Sequence, residues 1–168
     1  MVTGHPIEQL YDRLTSTFEN TSEVANIRLS SYNQAQLSRN IRIETGGFGT
    51  PYSDHQRNEI VLNKRFLTLC WCIVYIVMEV AGEKMEQAIK LSENYSVLDS
   101  SDPELAELDL LFDFAMSLKS DERADNWPSG LPDPTDSAYK IMVANAIFID
   151  AMSYIMYHEV AHRQRTLG

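Results

Sequence analysis

The chain has 168 residues, 44% of them hydrophobic and 23% charged, which suits one globular domain with a sizeable core and excludes extended disorder. Its formal net charge of −10 excludes a general nucleic-acid or anionic-membrane binder, since either needs a basic surface. The first twenty residues are polar and amphipathic without a continuous apolar core, so no secretory signal is expected.

From Pro6 onward, Ile7, Leu10, Tyr11, Leu14 and Phe18 recur at helical spacing, and Pro6 suits a first turn, so an amphipathic helix is expected there. His5, beside Pro6, reads as a solvated residue at a frayed end. Between Asn26 and Leu62 the pattern changes to alternation. Asn26-Ile27-Arg28-Leu29-Ser30, Asn40-Ile41-Arg42-Ile43-Glu44 and Asn58-Glu59-Ile60-Val61-Leu62-Asn63 predict half-buried strands of a small antiparallel sheet. Gly46-Gly47-Phe48-Gly49-Thr50-Pro51 follows the second of these. It matches neither G-x-G-x-x-G nor the pattern ending in Gly-Lys-Ser/Thr, so a turn is expected rather than a phosphate cradle. His55, in the polar connection before the third strand, reads as a surface residue.

Asn63 predicts the cap of a long helix through Phe66, Leu69, Ile73 and Val77 to Lys90, although the β-branched stretch from Ile73 to Val77 leaves a strand open. The apolar run from Phe66 to Met78 is shorter than the roughly 20 residues that span a bilayer, so it is expected to be core, with no membrane partner. Cys70 and Cys72 lie inside it at a spacing that fits neither C-x-x-C chemistry nor a four-ligand zinc site. They read as buried reduced thiols, which points to a cytoplasmic location. Glu79, Glu83 and Glu86 read as a solvated acidic face, the alternative being an upstream carboxylate ligand.

Ser101-Asp102-Pro103-Glu104 supplies a cap, a first-turn proline and early acids for a helix from Leu105 to Leu118, with Leu108, Leu111, Phe112, Ala115 and Met116 expected inside. Breakers from Ser120 to Thr135 make a loop. Asp136 or Ser137 then caps a last apolar helix from Ala138 to about His162. No repeat or linker divides the chain, so residues 1–168 are expected to form a single α+β domain, mainly helical, with its small sheet packed on helices. The alternative left open is that this is the N-terminal part of a longer protein.

The last helix carries His158-Glu159-Val160-Ala161-His162, the pattern H-E-x-x-H. Two imidazoles four residues apart project from one side of a helix and can share an ion, with the intervening carboxylate at the rim. Ala144, Phe148, Ala151 and Ile155 are expected on the same face as the pair, so the histidines should continue an inward stripe. That expected burial favours a metal site over a structural histidine pair. His158 and His162 are the candidate Zn²⁺ ligands and Glu159 the candidate general base, with Asp150 and Tyr154 as candidate supporting partners. The metzincin pattern would place a glycine and a third histidine where this chain has Arg165 and Gly168, so that subclass is excluded and the third ligand is open.

The helix from Asn145 to His162 resembles the active-site helix of zincin metallopeptidases, and the segment Asn58–Asn63 looks like the strand lining the substrate cleft in that superfamily. The arrangement is more specifically similar to the phage-exclusion Lit-type peptidases, intracellular proteins with the motif after a largely helical first half. The resemblance implies a zincin-like active-site helix at the C-terminus, a zinc-dependent peptidase, Glu159 as its acid/base, and a protein or peptide substrate. The competing expectation is a catalytically inactive helical interaction or regulatory module that binds a protein partner.

Overall fold

The computed structural model describes residues 5–29, 40–57, 59–84, 103–120 and 126–165. A 3-10 turn over Pro6–Leu10 leads directly into helix α1, Tyr11–Leu29. His5 is a half-buried cap, not a solvated end. Its Nδ1 accepts from the Ile7 amide at 3.4 Å and its carbonyl from the Glu8 amide at 2.9 Å, and its ring meets Trp127 edge-on. First-turn amides have no partner within the helix, which is why an acceptor is held there. No Gly or Pro interrupts Tyr11–Leu29, so α1 runs on through Asn26–Leu29 in place of the expected strand; Ser30 lies outside the described residues.

Strands β1 (Asn40–Glu44), β2 (Tyr52–Asp54) and β3 (Glu59–Asn63) form one sheet in the order β1-β3-β2. β2 is antiparallel to β3, but β1 runs parallel to it, so the sheet is mixed rather than wholly antiparallel. The connections account for this. Residues 55–58 are short enough for a hairpin, whereas the turn after β1 carries the chain across the end of β3 to its far edge. Asn63 holds that crossing. Its Nδ2 donates to the carbonyls of Gly46 at 3.1 Å and Gly47 at 2.7 Å, while its Oδ1 accepts from the Phe66 amide at 3.1 Å and so caps the next helix, as expected. On one face of the sheet, Arg42 of β1 joins all three strands. Its Nε donates to Glu59 at 2.8 Å and its Nη1 to Glu44 at 2.6 Å, with Asp54 lying 3.8 Å from Nη2.

Helix α2 spans Lys64–Glu79 and widens into a π-type turn at Val80–Lys84; the expected continuation to Lys90, with Glu86, lies outside the described residues. The Ile73–Val77 stretch is helical, and Leu67, Trp71 and Tyr75, spaced by four, turn inward. Glu79 is not part of a solvated acidic face: its side chain is only 12% exposed and meets Lys140 Nζ at 2.8 Å.

Helix α3 is Pro103–Ser117 and helix α4 is Tyr139–Arg165, and α2 packs against both. The inward face of α3 is Leu111, Phe114 and Ala115, with Leu118 buried just past its end, while Phe112 and Met116, expected inside, are exposed. Apolar residues at six positions between Leu110 and Met116 left the phase open, and packing on α2 chooses it. Helix α4 opens at Ala138, whose carbonyl accepts from the Met142 amide at 3.1 Å, later than the expected Asp136 or Ser137 cap. Deep in the core the Trp71 indole N–H donates to Asn145 Oδ1 at 2.7 Å, and Asn145 Nδ2 donates to the Pro134 carbonyl at 3.0 Å. Lys64–Gly82 and Tyr139–His162 are each long and apolar enough to cross a membrane by length and composition; here both contribute to one hydrophobic cluster with α1, α3 and β3.

Candidate active site

The motif lies in the last turns of α4. The Nε2 atoms of His158 and His162 stand 2.8 Å apart, with ring centroids 4.4 Å apart and the planes at 86°. Both side chains are exposed, Glu159 is half-buried and Val160 is in the core. The inward stripe expected from Ala144 to His162 therefore fails in its second half, since Ala151 is exposed and Ile155 only half-buried. The helix instead buries Ala144, Phe148, Met152, Met156 and Val160, with Ile141, Asn145, Ile149 and Ser153 alongside them. His158 follows Met156 by two residues and so points about 200° away from it. Burial thus gives no support to a metal site, and convergence of the rings has to carry that reading.

The pair fits a divalent ion. Two imidazole nitrogens bound tetrahedrally to zinc at about 2.0–2.1 Å lie roughly 3.3 Å apart, so a small outward rotation of either ring would admit it. Without an ion, contact this close needs one nitrogen to donate its proton to the other. Either occupant requires both Nε2 atoms to face one point, and they do. Among the described residues no third His, Cys, Asp or Glu joins them. Glu79 is engaged by Lys140, His5 stands against Trp127, and His55 is exposed in a turn. Asp150 is exposed, and Tyr154, one turn before His158, is 75% exposed on the same outward side.

The strand beside the motif is β2. β3, expected to line the cleft, is the central strand with both edges paired, and its Ile60 and Leu62 are fully buried. Ser53 of β2 donates through Oγ to the main-chain carbonyl of Glu159 at 2.8 Å. Sequence reasoning missed this contact, because its partners lie 106 positions apart and a lone serine in a three-residue strand carries no pattern.

Cys70 and Cys72 are free thiols of α2, Cys72 buried as expected and Cys70 only half-buried, and burial raises the pKa of both, Cys70 to about 11. Neither is suited to act as a nucleophile at neutral pH. No curated protein and no solved structure matches the chain. Residues 60–166 do match a protein family, described as Peptidase U49, over a span holding β3, α2, α3, α4 and the whole motif. With more than half of its length in that match, the chain belongs to the Peptidase U49 family and is a peptidase, whose substrate is a peptide or protein.

Proposed function

We propose that this peptidase is zinc-dependent and of the zincin type, resembling the Lit-type phage-exclusion enzymes, with His158 and His162 as metal ligands and Glu159 as acid/base. The observation that carries the reading is the convergence of two Nε2 atoms 2.8 Å apart, one helical turn apart in a peptidase-family chain, with a carboxylate between them in sequence. Zinc held by His158 and His162 would supply Lewis acidity toward the scissile carbonyl and toward water. The exposed rings leave the site open to an extended chain. Glu159, half-buried at the rim, takes a proton from the attacking water and passes it to the leaving amine nitrogen as the peptide bond breaks. A catalytic zinc takes three protein ligands, so this reading requires a further donor beside the pair. The free thiols of Cys70 and Cys72 suit a reducing, cytoplasmic setting.

The test is Glu159→Gln on zinc-loaded protein, with unfolded casein as substrate. Hydrolysis should fall by about 10²-fold or more, the range for loss of a general base, while zinc content stays at the wild-type level. Wild-type cleavage by the variant would remove Glu159 from this role.

A further inference from the structure

We propose that Ser53 is a positioning residue for the metal pair, a role that rests on the zinc reading above. Side chains alternate along a strand, and β2 shows the consequence. Tyr52 and Asp54 turn to one face of the sheet, where the Tyr52 hydroxyl meets Glu44 at 3.3 Å and Asp54 meets Arg42. Ser53, between them, turns to the other face, opposite fully buried Ile60 of β3, and there donates to the Glu159 carbonyl at 2.8 Å. β2 is thus held on one side by the Arg42 network and grips the motif turn on the other.

The bonded carbonyl lies one residue after His158 and three before His162. It sits in the helical turn from which both imidazoles project. Because the rings are exposed, little packing fixes them, and their placement follows the backbone. A second donor on this carbonyl, beyond the helix's own amide, fixes the rotation of the motif turn about the α4 axis and its distance from the sheet. Ser53 also lies outside the family-matched span 60–166, so the tie joins the matched region to a strand beyond it.

The experiment is a Co²⁺ titration of the metal-stripped full chain, followed by visible absorption, for wild type, Ser53→Ala, Ser53→Thr and His158→Ala. Ser53→Ala should bind Co²⁺ about tenfold more weakly than wild type, as loss of a group that orients ligands does. Its metal-free Tm should stay within about 5 °C of wild type, because the Glu159 carbonyl keeps its helical partner. Ser53→Thr, which keeps the hydroxyl and suits a strand, should restore binding to within about twofold. Wild-type affinity and spectrum in Ser53→Ala would overturn the positioning role while leaving the zinc reading intact, and so would weak binding by folded Ser53→Thr. A wild type that binds no Co²⁺ in a manner lost in His158→Ala would overturn both.

Discussion

Asn63 shows how much of the molecule a single residue organises. Its acceptor caps α2 and its donor holds the Gly46–Gly47 crossing that makes the sheet mixed. The first role was legible, because an Asn before an apolar helix is a cap signal. The second was not, since nothing local says which loop returns to it. Replacing Asn63 by Ala should cost about 1–2 kcal/mol in urea unfolding, shared between the lost cap and the lost tie to the glycine carbonyls. Asn63→Ser keeps a good capping oxygen but offers no amide to the glycines, so it should recover roughly half of that loss. Wild-type stability in the serine variant would show that the tie to the crossing contributes nothing.

Among the elements, α4 was read correctly in place and extent but wrongly in orientation. The breakers Pro132 and Pro134 and the long uninterrupted run announced it, yet apolar residues surround the helix, with Ile147 and Tyr154 exposed and Phe148 and Met152 buried. With apolar side chains all round, periodicity cannot choose a face. The expected stripe turned through Ala151 and Ile155, whereas the buried face keeps to Met152 and Met156, with Ile149 and Ser153 beside them. Two single variants check this in thermal or chemical unfolding. Met156→Ala should destabilise by about 2–5 kcal/mol through the cavity it leaves, while Tyr154→Ala, two residues away, should change stability by less than about 0.5 kcal/mol. Similar costs for both would mean that the face is misassigned. The sheet was misread for a related reason: alternation reveals that a strand exists but not its partner, and parallel pairing of β1 with β3 depends on the path of the intervening chain. In α1, four alternating residues gave way to an unbroken helix.

For the whole molecule, the mainly helical α+β architecture was legible from composition and segment patterns, and the motif from five letters. The Ser53 contact and the exposure of the histidines required the assembled core. That core also sets a pH response. Burial holds the Cys70 thiol at a pKa of about 11 against its ordinary value of 9.0, so folding favours the neutral form. Its contribution is fully present below pH 9 and is lost as pH rises through about 11, because the unfolded chain gives up that proton first. Burial acts in the same direction on Cys72 and Tyr11, so stability should fall on the alkaline side, and Cys70→Ala should remove about 1–2 kcal/mol of that fall between pH 9 and 11. An unchanged slope would show that Cys70 does not titrate as its burial requires. The proposal on which function depends is that His158 and His162 share one ion. Metal analysis of purified wild type and of the His158→Ala/His162→Ala double variant tests it most directly. About one zinc per wild-type chain and none in the variant is expected; wild type without zinc, or a variant that retains it, would show that the two histidines share no ion.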